Sequence, residues 1–208
     1  RGPRRLDRVA TYRPGALAPY AEAMRKWPGF EAPTDGPRDH VIRHLPRDWP
    51  IFAGMRSGDE YPAALRVSEA LFQRALATSK EPIIENSAEW QALRKRMVPP
   101  YKADRFPNKW WKLYPDRPSR TLMAHLGKDG YSHIHYDDDQ ARPISVREAA
   151  RLQSFPDGFV FEGTMNPAFQ QIGNAVPPLM ANALGEQCRH IILAAARRRL
   201  EAGLTFAA

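Results

Sequence analysis

The sequence predicts an α+β fold, rich in helix, with a small irregular β-sheet and a long C-terminal helix. Three observations lead there. Apolar residues recur at three- and four-residue spacing over 61–78 and again over 179–195, the period of a helix with one buried face. Between these stretches, 119–136 carries short β-compatible runs around a Gly-Lys-Asp-Gly turn signal. Eight prolines fall within the first 60 residues, which cuts any helix there into short pieces.

Composition narrows the function classes. With 43% hydrophobic and 26% charged residues in 208, the chain is globular rather than disordered or fibrous. Lys and Arg number 31 against 23 Asp and Glu, a formal net charge of +8. Such a surplus favours a polyanionic partner, nucleic acid first and an anionic membrane surface second. The single cysteine, Cys188, excludes an internal disulfide and a Cys-clustered zinc site, and fits a reducing compartment. No apolar run approaches the roughly 18 residues of a membrane span, and no signal peptide is visible, so no membrane partner is expected.

Taken in order, residues 1–29 form a basic N-terminal arm with Arg1, Arg4, Arg5, Arg8 and Arg13. Short helices are expected over 16–27 and 37–45. Residues 61–78 predict a firm helix, with Pro62 suited to its first turn. Ser87 is the natural N-cap of a helix over 87–97, ended by Pro99-Pro100. Residues 99–118 read as a loop. Strands over 120–126 and 131–136 are expected to pair as a hairpin about the turn at 127–130. Ser145-x-x-Glu148 is a capping box that opens a helix through about Ser154. A loop with Gly163 and Pro167 follows, then Gly173-Asn174-Ala175-Val176-Pro177-Pro178 leads into the terminal helix, which runs to about Ala202.

Four constellations carry possible chemistry. Segment 90–120 holds Arg94, Lys95, Arg96, Lys102, Arg105, Lys109, Lys112, Arg117 and Arg120 against only Asp104 and Asp116, interleaved with Trp90, Tyr101, Phe106, Trp110, Trp111 and Tyr114. Cations neutralise phosphates and release counterions, and flat rings stack on bases or wedge into grooves. The plainer reading is a solvated helix face followed by aromatics that fill the core. His133 and His135 would share a strand face and, with an Asp from 137–139, could hold a divalent metal; without a third placed ligand, polar hairpin residues are the better reading. Cys188 lies mid-helix on the apolar stripe, so it reads as a packing residue. At 170–178, Gly173 allows close approach, and the following helix start could bind a carboxylate or phosphate, or be a plain helix start.

The last 70 residues also carry a resemblance. Arg142-Pro-Ile-Ser145-Val-Arg147-Glu148-Ala149-Ala150-Arg151-Leu152-Gln153-Ser-Phe155-Pro156 resembles the ninth conserved block of the DNA (cytosine-5)-methyltransferases, with Ser145 in place of the usual Thr. Gln171-Ile172-Gly173-Asn174-Ala175-Val176-Pro177-Pro178 resembles the tenth block, in the same order and separation. The match covers about 142–188, under a quarter of the chain.

The resemblance implies the C-terminal portion of an α/β S-adenosylmethionine-dependent methyltransferase. Residues 30–141 would be a target-recognition region that reads duplex DNA, and 142–208 a segment returning to the cofactor domain. Arg94, Arg96, Lys102, Arg105, Lys109, Lys112, Arg117, Arg120 and Thr121 are the expected DNA contacts, Thr121-Leu122 resembling a pair the family places near the DNA backbone. Asn174, Ala175 and Val176 would line the methionine end of S-adenosylmethionine. Arg147 and Arg151 look structural. A bacterial cytoplasmic, nucleoid-associated restriction–modification setting is implied.

Departures from the family matter as much. The cofactor glycine loop, the Pro-Cys pair, the Glu-Asn-Val and the Gln-x-Arg-x-Arg block have no counterpart, and Glu85-Asn86-Ser87 lies in the wrong place to supply one. The expectation is therefore no catalytic residue and no metal site in this chain. The catalytic half would reside on a preceding segment, to which the opening Arg1 in place of Met points, or on a second chain. Exposed apolar surface on the terminal helix follows from the same reading. The rivals are a non-enzymatic DNA-binding regulatory module derived from such an enzyme and, far behind, a metal-dependent nuclease built on His133 and His135.

Overall fold

A computed structural model of the chain describes residues 10–12, 14–123 and 125–201. The arginines of the basic arm, Arg1, Arg4, Arg5, Arg8 and Arg13, lie outside these residues, as does Ala202. Eight helices are described: α1 (Pro19–Arg25), α2 (Trp49–Gly54), α3 (Tyr61–Ala77), α4 (Ala88–Met97), α5 (Leu126–Asp129), α6 (Val146–Leu152), α7 (Met165–Asn174) and α8 (Pro178–Glu201). The fold is helix-rich with little strand. Proline opens α1, α2 and α3 within their first two positions, where its missing N–H costs nothing.

Helix α3 falls where its apolar spacing predicts and buries Tyr61, Ala63, Ala64, Ser68 and Phe72. Ser87 caps α4 by accepting the Trp90 N–H at 3.2 Å. The capping box of α6 is complete: Ser145 Oγ accepts from the Glu148 N–H, and Glu148 accepts from the Ser145 N–H at 2.7 Å.

Two apolar clusters form the core. One gathers Ile51, Phe52, Met55, Tyr61, Ala64, Trp110 and Ile134 around the α2–α3 pair. Trp110 is buried and stacks on Tyr131 at 4.5 Å with ring planes 5° apart, while Trp111 faces the other cluster. That second cluster joins Val146, Ala149, Ala150, Phe155, Phe161, Ala168, Phe169 and Ile172 to Val41, Leu113 and Leu122. The C-terminal segment and the region before it thus share one core across residue 141.

Four sequence expectations give way. Residues 37–45 are not a helix; Asp39 adopts φ +62° and the segment runs beside the start of α6, where Asp39 O accepts the Arg147 N–H and Val41 O the Val146 N–H. The 120–126/131–136 hairpin does not form. Its expected turn is the short α5, ended by Gly130 in the left-handed region at φ +59°, which glycine enters without cost. Ile134 instead pairs with Lys112 and Pro143 through isolated bridges, so 111–113, 131–135 and 142–144 make a three-stretch ladder without a regular strand. Finally, 165–174 is helical. Pro167 sits third in α7, where its absent N–H has no intrahelical acceptor to lose, and Gly173-Asn174 belongs to the last helical turn.

The fourth change concerns Cys188. Helix α8 carries the foreseen apolar stripe, but no described residue covers it: none of its side chains is buried, and Ile191 and Ile192 are each 65% exposed. Cys188 is accordingly exposed rather than packed.

Candidate nucleic-acid interface and cofactor turn

The basic segment begins at the C-terminal turn of α4. Arg94 is already committed: its guanidinium forms a bidentate pair with Glu69 of α3 at 2.7 and 2.5 Å and lies against both the Phe72 and Trp90 rings. It braces α4 on α3. Arg96, Lys102 and Arg105 are exposed. The aromatics organise the other cations. Lys109 Nζ lies 4.5 Å from the Tyr101 ring centre, Arg117 sits over Tyr114 at 4.3 Å and Arg120 over Trp111 at 4.7 Å. Stacking of this kind fixes where a positive charge is held while leaving its outer edge to a ligand. Thr121 is exposed beside them, and Leu122 is core.

Lys112 does not belong to this surface. It is fully buried, and its ammonium donates to Phe52 O at 2.7 Å, Met55 O at 2.9 Å and the Asp138 carboxylate. All three of its donors are satisfied internally, so the expectation of a phosphate contact at Lys112 is corrected. A cation in a basic run gives no sign from sequence that it caps the end of a neighbouring helix, here α2.

His133 and His135 do not converge. His133 Nε2 donates to Arg120 O at 3.1 Å while Nδ1 accepts from Ser132 Oγ. His135 Nδ1 accepts the Asp137 N–H at 3.1 Å. Burial pushes both imidazoles below their ordinary value, so both are neutral at pH 7. Among the described residues no group of three or more His, Cys, Asp or Glu could hold a metal ion.

The second element is the turn between α7 and α8. Just beyond α6, Ser154 adopts the left-handed region at φ +59°, and the residues around it secure this turn. Gln153 Nε2 donates to Ile172 O at 3.2 Å and Ala175 O at 3.3 Å, bracketing Gly173 and Asn174. Ser154 Oγ accepts the Leu179 N–H at 3.1 Å. That bond occupies one donor of the α8 N-terminus, which narrows the expectation of a free helix end for an anionic group. Asn174 and Val176 point outward and Ala175 is half-buried, on backbone whose position is fixed from behind. The side chain of Gln153 is thus a positioning group that the sequence alone does not single out. Replacing Gln153 with Ala removes two hydrogen bonds, worth about 1–2 kcal/mol locally; amide exchange over 173–176 is expected to quicken by roughly tenfold with little change in overall unfolding temperature.

Charged pairs hold α6 to its surroundings. Arg151 pairs with Asp157 at 2.5 Å, and Tyr12 Oη donates to the same carboxylate at 2.6 Å. Arg142 makes two bonds to Glu148 at 2.7 and 2.8 Å. Burial opposes ionisation of Glu148, but the Arg142 hydrogen bonds and charge prevail and bring its carboxyl from 4.5 down to about 2. A depressed carboxyl stabilises the fold above its unfolded value, and that stability is lost as pH falls through the folded one. Acid titration is therefore expected to cost the protein about 3 kcal/mol as pH falls from 4.5 to about 2. Glu148→Gln should flatten the stability profile in that window, read by urea unfolding at stepped pH.

Comparison with known proteins decides the family. Residues 60–190 match the family model described as C-5 cytosine-specific DNA methylase.

The chain belongs to this family.

Both the basic segment and the α7–α8 turn fall inside the matched range. A protein of Oceanobacillus iheyensis with the provisional name type II methyltransferase M.OihORF3336P is 48% identical over 147 residues, covering 71% of this chain and 31% of the relative. The DNA (cytosine-5-)-methyltransferase M.ApeKI of Aeropyrum pernix is 30% identical over 207 residues, covering 83% of this chain and 44% of the relative. DNA (cytosine-5)-methyltransferase 3 of Arabidopsis thaliana is 42% identical over 72 residues, 35% of this chain and 5% of that protein. The chain spans less than half the length of these methylase relatives. No helix among the described residues is long and apolar enough to cross a membrane.

Proposed function

We propose that this chain is the target-recognition and C-terminal portion of a DNA (cytosine-5)-methyltransferase. It grips duplex DNA, contributes to the choice of site, and completes a pocket for S-adenosylmethionine whose other walls belong to a catalytic segment or second chain. The observation that carries this reading is the pairing of two features within one methylase-family match. One is an aromatic-ordered row of surface cations, and the other is an outward-facing Asn174-Ala175-Val176 turn braced from behind.

Residues 30–141 serve recognition, with Arg96, Lys102, Arg105, Lys109, Arg117, Arg120 and Thr121 meeting the DNA. Arg94 supports them from the α3–α4 junction. Residues 142–208 brace that region and return toward the catalytic body, against which the exposed stripe of α8 packs. The turn fits the cofactor role: exposed side chains on a clamped backbone suit a site closed by a second body. S-adenosylmethionine, when bound, supplies the methyl group. Asn174, Ala175 and Val176 hold its methionine end.

Methylation at C5 of cytosine needs a thiolate to attack C6 and an acid at N3. The only cysteine, Cys188, follows Gln187 rather than Pro and lies on α8, so the thiolate comes from elsewhere and this chain alone transfers no methyl group. The setting is DNA of a bacterial cytoplasm. The test is tritiated-methyl incorporation into DNA. The chain alone is expected to give none, and the chain mixed with a segment carrying the Pro-Cys block is expected to give sequence-specific incorporation. Incorporation by the chain alone would overturn the reading, and failure of the mixture would favour a non-enzymatic DNA-binding module.

A further inference from the structure

Beside the row of cations lies a cleft of about 430 Å³, lined by Asn108, Lys109, Arg120, Thr121, Ser132 and His133 among others. Arg120 is held there at three points. Its guanidinium lies over the Trp111 ring, 4.7 Å from the ring centre, its Nη1 donates to Asn108 O at 3.1 Å, and its own carbonyl accepts from His133 Nε2 at 3.1 Å. His133 is buried and kept neutral, and the contact of Nε2 with a carbonyl requires that this nitrogen carry the proton. Its Nδ1 then accepts from Ser132 Oγ, so the imidazole anchors the main chain of Arg120.

We infer that this cleft receives the Hoogsteen edge of a guanine, and that Arg120 is its specificity-determining residue. The inference rests on the DNA-recognition reading above and names the base it acts on. With Nη1 tied to Asn108, the Nε–Nη2 edge of the guanidinium faces no acceptor among the described residues. That edge is a planar pair of donors, the complement of guanine O6 and N7. Phosphate neutralisation needs charge and tolerates a mobile side chain. Reading a base needs the fork held in place, and here the Trp111 ring and the Asn108 carbonyl hold the guanidinium while His133 anchors the Arg120 main chain. Around that edge, Thr121 adds a neutral hydroxyl and the Met123 side chain an apolar wall that a base can lie against, with the Lys109 side chain also lining the cleft.

The test selects duplexes bound by the 208-residue chain from a randomised library, then measures affinity for the enriched site. The expected motif contains a guanine at which 7-deazaguanine, lacking the N7 acceptor, binds about 10-fold to 100-fold more weakly. Arg120→Ala should lose preference at that one position and leave the others, and the 7-deaza substitution should then cost the variant nothing further. The base analogue leaves the wild-type fold intact, so a misfolded variant cannot imitate the result. Uniform weakening over all sequences by Arg120→Ala, with full sensitivity to 7-deazaguanine retained, would reduce Arg120 to a phosphate contact and overturn the inference while sparing DNA recognition. A wild-type chain that retains no duplex would overturn the recognition reading and this inference with it.

Discussion

Arg147→Met should destabilise the protein by about 3–5 kcal/mol, the cost of breaking a buried ion pair from one side. Arg147 is 2% exposed, and its guanidinium makes four bonds: to Arg38 O at 3.0 Å, Pro156 O at 3.0 Å, the Asp39 carboxylate at 2.8 Å and Phe159 O at 2.7 Å. These acceptors come from two separate stretches of chain that α6 joins. Met matches the length and apolar stem but satisfies none of them, so three carbonyls and a carboxylate remain buried without this partner. In a domain of this size the loss corresponds to a fall of about 8–15 °C in unfolding temperature, read by circular dichroism. Its pH dependence has a defined sign. Burial pushes Asp39 up while Arg147 opposes it; without Arg147 the carboxyl rises further and binds a proton more readily in the fold. A group raised in the folded state contributes stability below its folded value and loses it above. The deficit of the variant should therefore shrink as pH is lowered from neutrality.

Lys112→Met should cost about 2–4 kcal/mol, because the buried carbonyls of Phe52 and Met55 lose their donor. Its effect on DNA binding separates it from its neighbours in sequence. Lys112 reaches no solvent, so its removal should leave the salt dependence of binding unchanged at temperatures where the variant is folded. Lys102→Ala and Arg105→Ala, which remove exposed charges, should each reduce the slope by about one unit with little effect on stability. Denaturant unfolding and salt titration of the three variants together check both halves of this expectation.

These two residues also mark where sequence reasoning succeeds and stops. Arg147 sits in a motif whose capping box is written in adjacent residues, and α6 follows from it directly. Helix α3 and the Ser87 cap are equally local, since a 3.6-residue period or an N-cap hydroxyl needs no distant partner. Lys112 is different. Nothing in its neighbourhood announces that it turns inward to meet α2, about 60 residues earlier in the chain. The expected hairpin failed for a related reason: Ile134 found partners at Lys112 and Pro143, and the glycine-flanked turn closed into α5. Around α7, Gly163 and Pro167 read as loop signals, whereas proline at a third helical position is compatible with the helix that forms there. For the candidate site, the turn at 174–176 and the cationic row were legible as patterns. The Gln153 clamp and the stacking that orders the cations were not, because both arise from contacts between segments remote in sequence.

The claim that this chain holds DNA through an organised row of surface cations is tested most directly by the salt dependence of duplex binding, followed by fluorescence anisotropy. Five surface cations, Arg96, Lys102, Arg105, Lys109 and Arg117, each neutralising one phosphate, should give log K against log salt a slope of about −4 to −5. A slope near zero, or no binding at low salt, would contradict it.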